Sequence, residues 1–267
     1  MKSYILFIVV VLAFGLSSGC ENECGAKSVG ADRVAIIFSE TPQQLPVFLS
    51  TYGTTIQPLL HNFIEEGTFF SERLQIPRLH FFSLSDNTEG AERLATASLS
   101  QEEAKACCYS DENIETILSD FKDAVKNKYQ TYNEGIRVLP SLKRLEEVAR
   151  GLPDSSLIEV HYFSDMLETI ADNGNCGTYC FLQKGSRLIN NHDLSRAESD
   201  LNGGCLEDRY ITPAKNALEK YTVKVVIHPL NGGNNVQVGY NGESYQLIRD
   251  FWRNYFAAAG ILDITFQ

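Results

Sequence analysis

The chain has 267 residues and a formal charge of −11 at pH 7, from 23 Lys and Arg against 34 Asp and Glu. That balance, with a pI near 5.0, excludes non-specific nucleic-acid binding, which needs a basic surface to displace counterions. It equally disfavours electrostatic docking on anionic lipid, while 43% hydrophobic content is ordinary for a globular chain with a substantial core.

The first segment reads as an export leader. Met1-Lys2 gives a positive start, and Ile5 to Leu16 form an apolar stretch of twelve residues interrupted only by Gly15. A bilayer span takes ~20 residues, so this stretch suits the h-region of a cleaved signal peptide. Ser17-Ser18-Gly19 then run into Cys20. Small residues ahead of a thiol resemble a bacterial lipobox, whose cysteine receives lipid and becomes the new N-terminus. Ser17 stands where lipoboxes usually carry an aliphatic residue, with Leu16 one place further out. The expectation is a signal peptide over 1–19, a lipid at Cys20, a polar, Gly-rich tether over 20–32, and one folded domain over 33–267. An ordinary secretory cut nearby, with Cys20 in a disulfide, is the alternative.

The cysteines fit export. Setting Cys20 aside leaves Cys24, Cys107, Cys108, Cys176, Cys180 and Cys205. An even set in an oxidising compartment points to disulfides, and the sequence does not choose among the pairings. Adjacent Cys107 and Cys108 are expected to take different partners, because a vicinal bridge strains the backbone. Zinc is the rival reading for Cys176-Gly-Thr-Tyr-Cys180, yet no second tight Cys/His pair follows.

In chain order, Arg33 to Phe38 is a continuous apolar run and reads as a strand buried on both faces. Ile56, Leu59, Leu60, Phe63 and Ile64 make a 3.6-residue stripe on a helix over 54–66, with Pro58 in its first turn. Arg78 to Leu84 reads as a second strand. Ile114, Ile117, Leu118, Phe121 and Val125 mark a helix, and Leu142, Leu145, Val148 and Ala149 another, stopped near Gly151-Leu152-Pro153. Leu157 to Phe163 is a strand ending at Ser164-Asp165. Residues 172–208 are Asn-, Gly- and Cys-rich with weak periodicity and read as an insertion. A helix over Ile211 to Tyr221, a strand over Val223 to His228, a helix over Tyr245 to Ala259 and an edge strand over 261–266 complete the chain. Helices separating apolar strands predict a doubly wound, mainly parallel α/β sheet with helices on both faces.

Three segments together resemble a von Willebrand factor type A domain of the bacterial envelope kind. The first strand runs into Ser39-Glu40-Thr41. A later strand ends in Phe163-Ser164-Asp165-Met166. The last helix carries Trp252, Tyr255, Phe256 and Gly260 in the spacing Trp-x-x-Tyr-Phe-x-x-x-Gly. The resemblance covers about residues 33–266 and implies a metal ion-dependent adhesion site, in which oxygen ligands hold Mg²⁺ or Ca²⁺ and leave one position for a partner's carboxylate. Carried over residue by residue, the site is degenerate. Ser39 or Phe38 stands at the place of the leading Asp, Thr41 replaces the first Ser, Gln43 falls at the second, Ser141 takes the place of the middle-loop Thr, and Asp165 matches. Glu40, one position off, is a further oxygen donor. Without ligand roles, Ser39 and Thr41 shape a turn, Asp165 caps a following helix, and Trp252, Tyr255 and Phe256 pack in the core. His161 reads as structural, whereas His80 and His228, near strand ends, are placed to approach a common cleft.

The function implied is a non-catalytic module that binds another envelope or extracellular protein, held to a bacterial membrane by its lipid and facing the periplasm or exterior. The alternative is a periplasmic enzyme such as a hydrolase on the same scaffold. A structural subunit of an appendage, or a solute-binding lipoprotein, is a third reading. Gly-x-Ser-x-Gly, the phosphate-binding Gly-x-x-x-x-Gly-Lys and His-Glu-x-x-His are all missing from the sequence.

Overall fold

A computed structural model describes residues 30–40, 45–67, 75–84, 92–98, 111–129, 136–168, 176, 179–181, 189–228 and 242–267. The leader, Cys20, Cys24, Thr41, Cys107 and Cys108 lie outside the described residues.

Among the described residues six strands form one sheet: β1 (Arg33–Ser39), β2 (Pro77–Ser83), β3 (Glu92–Ser98), β4 (Leu157–Phe163), β5 (Thr222–His228) and β6 (Asp263–Phe266). Their order is β3-β2-β1-β4-β5-β6. All neighbours run parallel except β2 and β3, which are antiparallel with a register shift between Phe81 and Phe82. The doubly wound α/β expectation is met. All seven residues of β1 are buried, as its unbroken apolar run requires of a central strand covered on both faces.

Side-chain alternation sorts the core into two layers. Val34, Ile36, Phe38, Val160, Tyr162, Val225 and Ile227 face one side. There they meet α4 (Ser141–Ala149), α5 (Asn191–Ser199), α6 (Thr212–Leu218) and α7 (Gly242–Ala258). Ala35, Ile37, Leu79, Phe81 and Phe163 face the other side. They pack under α1 (Leu45–Thr51), α2 (Gln57–Glu65) and α3 (Asp111–Lys128). A π-helical turn, Tyr52–Ile56, joins α1 to α2, and a second, Glu207–Ile211, precedes α6. Such turns insert one residue into a helix and rotate the face that follows. Here Tyr52, Ile56, Leu60, Phe63 and Ile64 are all brought onto the core.

Several sequence expectations need correction. The helix expected over 54–66 begins a full turn or more earlier, at Leu45, and Pro58 sits inside that continuous helical stretch, at the first turn of α2. Strand β3 escaped detection because Leu94-Ala95-Thr96-Ala97 carries little apolar mass, as befits an edge. The Asn-, Gly- and Cys-rich region over 172–208 holds α5, a helix its weak periodicity does not announce, whose start is capped by the Asn190 side chain accepting from the Asp193 amide at 3.3 Å. Cys176 and Cys205 form a disulfide. Cys180 takes no part in that bridge, and its amide donates to Asp193 Oδ2 at 3.1 Å.

Helix α7 ends in a turn that needs glycine. Gly260 has φ +84°, and the amides of Gly260 and Ile261 return to the Ala257 and Phe256 carbonyls. This left-handed closure is open to glycine at little cost, and it redirects the chain into β6. No helix among the described residues is long and apolar enough to cross a membrane.

Candidate functional site

The parallel strands end together, and the loops leaving β1 and β4 meet. In this strand order the chain reverses direction across the sheet between β1 and β4, which is where open α/β sheets leave a crevice. Ser39 lies opposite Phe163 in the ladder, and the Glu40 amide donates to the Phe163 carbonyl at 3.1 Å. Ser164 continues from β4 and its amide donates to the His228 carbonyl at 3.2 Å.

Glu40 is the centre of this junction. Its Oε1 accepts from the Ser164 hydroxyl and, at 2.9 Å, from the Asp165 amide. Burial raises the Glu40 carboxyl, the Ser164 hydroxyl lowers it, and the negative charge of Asp165 raises it again. The Asp165 amide offsets part of this, and the result is about 7. Two carboxyl groups thus meet at the strand ends, and one of them resists ionisation because of burial and its neighbour.

The loop after β4 is held in an uncommon shape. Met166 has φ +59°, a left-handed conformation that costs an ordinary residue ~1–2 kcal/mol. Its amide donates to Ser164 Oγ at 2.9 Å, and its carbonyl accepts from Trp252 Nε1 at 2.7 Å. No helix begins at Asp165, so the capping role expected for it is not what the structure shows. The loop before α4 is tied to the same segment. Glu168, buried, accepts from the amides of Val138 at 2.7 Å and Leu139 at 3.0 Å. Tyr255 donates from Oη to the Leu139 carbonyl at 2.7 Å. The aromatic positions of α7 are core residues, as expected, and their polar tips also pin both site loops.

The four residues carried over as metal ligands have different fates. Ser39 and Asp165 stand at adjoining strand ends with Glu40 between them, and the Ser39 hydroxyl donates to the Glu40 carbonyl at 3.0 Å. Ser141 is fully buried, with its hydroxyl 2.7 Å from Tyr162 Oη. Thr41 lies outside the described residues. Among the described residues there is no group of three or more His, Cys, Asp and Glu side chains that could hold a metal ion. The oxygen-only donors of Ser39, Glu40 and Asp165 suit a hard divalent cation that keeps much of its water, and no softer metal.

The histidines correct another expectation. His80 stands opposite Ile36 on the α4–α7 side of the sheet, whereas His228 stacks on Phe163 on the α1–α3 side, ring centroids 4.4 Å apart. They share no cleft. His228 instead meets His161, Nδ1 of His161 lying 3.2 Å from Nε2 of His228. Two residues apart from register partners, they are diagonal neighbours on β4 and β5, which only the strand pairing reveals. The roles of Ser164 and Glu168 also went unread, because each acts on backbone amides whose positions depend on the loops.

No protein-family profile matches the sequence, and no curated protein matches it. Solved structures do. The pilus adhesin SpaC from Lactobacillus rhamnosus GG, in an open conformation, is similar at 11% identity and a TM-score of 0.43, over 91% of this chain and 29% of that one. A von Willebrand factor type A protein from Catenulispora acidiphila is similar at 10% identity and a TM-score of 0.34, over 86% of this chain and 43% of that one. Proximal thread matrix protein 1 from the mussel byssus, with a zinc-occupied MIDAS motif, is similar at 9% identity and a TM-score of 0.32, over 89% and 49%. The chain spans less than half the length of each.

Proposed function

We propose that this chain is an exported, lipid-anchored, non-catalytic module that binds another envelope or extracellular protein through the loops at the ends of β1 and β4. The observation that carries the reading is the meeting of Glu40 and Asp165 at the point where the strand order reverses. Loops fastened by Trp252, Tyr255 and Glu168 give that point a fixed shape, which is what a recognition surface requires to limit its ordering cost. The leader, Cys20 and the Cys176–Cys205 bridge support an oxidising compartment outside the cytosol. The division into 1–19 leader, 20–32 tether and 33–267 domain belongs to the same proposal.

Within it, Ser39, Glu40 and Asp165 would hold Mg²⁺ or Ca²⁺, and Thr41 is the fourth candidate. The cation would supply an electrophilic position for a carboxylate on the partner. Protein added to envelope extract with Mg²⁺ is expected to capture a partner that chelator releases. Asp165→Ala should abolish both that capture and the thermal stabilisation by Mg²⁺ or Ca²⁺. If Asp165→Ala leaves both unchanged, cation-dependent recognition at this site is wrong.

A carboxyl held at about 7 is also poised for proton transfer, which keeps the hydrolase reading in view. Turnover of an ester or glycoside substrate that Glu40→Gln abolishes would establish that reading instead.

A further inference from the structure

Strand β6 is one edge of the sheet, and among the described residues nothing pairs with its outer side. Proteins commonly blunt such edges with bulges, charges or proline. The opposite edge follows that rule: β3 begins with Glu92 and Arg93, and its ladder to β2 shifts register between Phe81 and Phe82. Strand β6 does not. Asp263-Ile264-Thr265-Phe266 pairs with β5 in one register, holds no proline or lysine, and carries a single charge. Its short length is its one restraint. Among the described residues no large apolar side chain is more exposed than Leu262, just before β6, at 82%.

The ladder fixes where the backbone groups of β6 point. The Gln267 amide donates to the Ile227 carbonyl at 3.0 Å. Alternate residues along a strand turn their N–H and C=O groups to opposite edges, so Thr265 and Asp263 also face β5. Ile264 and Phe266 aim theirs at the open edge, and Leu262 precedes them in the same phase. The side chains of Ile264 and Phe266 lie on the α4–α7 side, where both pack on the core. Arg249 and Arg253 lie over the Phe266 ring. Asp263 and Thr265 stand exposed on the other side, with Lys224 opposite Asp263 on β5.

We propose that β6 pairs with β6 of a second copy of this chain, antiparallel about a two-fold axis at Ile264. A closed dimer uses one self-complementary surface on both copies, and this edge is self-complementary in one register. Centred on Ile264, that residue exchanges both main-chain hydrogen bonds with the partner's Ile264, and Phe266 does so with the partner's Leu262. The exposed Leu262 is thereby laid beside the partner's Phe266 ring. On the other side Asp263 meets the partner's Thr265, an acceptor opposite a hydroxyl donor. Centring on Asp263 sets two carboxylates face to face, which is destabilising. Centring on Thr265 carries Leu262 past the end of the partner's strand. Charge and the apolar row therefore select the same register. The axis stands perpendicular to the sheet, so the two copies continue one sheet and their β1–β4 loops point in opposite directions. The pairing does not depend on what those loops bind.

So short a ladder is a small interface, and the dimer is expected to dissociate at roughly 10–100 µM. The test uses the full chain in detergent, with micelles in excess so that a lipid does not bring copies together. Sedimentation equilibrium should show monomer and dimer alone. Leu262→Lys, at an exposed position, should weaken association at least tenfold and leave thermal melting of the monomer unchanged. Cysteine bridging then reads the register, with the unaltered chain oxidised in parallel as background. Ile264→Cys should give a covalent dimer with copper–phenanthroline, since hydrogen-bonded partners stand ~5.5 Å apart at Cα, within disulfide reach. Leu262→Cys alone should not, because its two copies lie at opposite ends of the ladder. Asp263→Cys mixed with Thr265→Cys should bridge. If the half-buried Ile264→Cys does not fold, that exposed pair carries the comparison. Four outcomes would overturn the proposal: monomer across the whole concentration range, association untouched by Leu262→Lys, Leu262→Cys bridging as fast as Ile264→Cys, or Ile264→Cys linking only to a strand of another protein.

Discussion

Trp252 donates its indole N–H to the Met166 carbonyl at 2.7 Å, across a sequence separation that makes the last helix a clamp on the β4 exit loop. Met166 is left-handed, so its conformation persists because neighbours over-determine it. The indole is fully buried between Phe181, Phe251, Tyr255 and Phe256. Trp252→Phe keeps an aromatic ring but leaves a buried carbonyl unpaired and a small void. The expected loss is about 2–4 kcal/mol, measured as a shift in the urea midpoint by far-UV circular dichroism. A loss under about 0.5 kcal/mol, the scatter of surface substitutions, would show that the clamp is not stabilising.

Glu40 should make the protein less stable as pH rises from 4.5 to about 7. Its folded-state value of about 7 exceeds the ordinary 4.5, because burial and then the charge of Asp165 outweigh the Ser164 and Asp165 hydrogen bonds. A raised value means that the native state holds the proton more tightly. The stabilisation is therefore fully present below pH 4.5 and is lost as pH rises through about 7. A shift of this size corresponds to at most about 3 kcal/mol, less whatever solvent screens at a half-buried group. Glu40→Gln should flatten the stability profile across this window. A profile as steep as that of the unaltered protein would assign the titration to another group.

Glu159 titrates in the opposite sense. Burial alone would raise it, but the N–H groups and charges of His161 and Arg33 hold it at about 2, below the ordinary 4.5. Its contribution is present above pH 4.5 and disappears as pH falls through about 2. Glu159→Gln should cost about 2–3 kcal/mol at neutral pH, since Arg33 loses one of two partners in a largely buried setting. Urea midpoints of variant and unaltered protein should converge on acidification. Parallel curves throughout would mean that the ionisation of Glu159 adds nothing.

The Cys176–Cys205 bridge closes a loop with a sequence separation of 29. Chain-entropy reasoning assigns such a loop about 3–4 kcal/mol, acting on the unfolded state. Cys176→Ser with Cys205→Ser should lower stability by that order, read from thermal melting under non-reducing conditions. The melting of the double variant should then be insensitive to dithiothreitol, if this bridge is the main source of reductant sensitivity.

Much of the fold was legible one residue at a time. The unbroken apolar run of β1, the Leu157–Phe163 segment and the stripe Ile114, Leu118, Phe121, Val125 each declare their state through local chemistry, and the burial of all three follows. Strand β3 and helix α1 were not legible. Ala95 and Ala97 carry too little apolar area to mark an edge strand, and α1 owes its place to a π-turn that rotates Tyr52 inward.

The site divides the same way. Acidity and the alternation of helix with strand are properties of composition and periodicity, so the sequence by itself determined them. Which groups meet was decided by strand order and register. Glu40 reaches Asp165 because β1 lies beside β4, and His161 reaches His228 because β4 lies beside β5 with Phe163 opposite His228. Ser141 turns to Tyr162 because α4 presses that residue against the sheet. Such contacts join residues far apart in the chain, and no local pattern encodes a distance that only the closed, packed sheet creates.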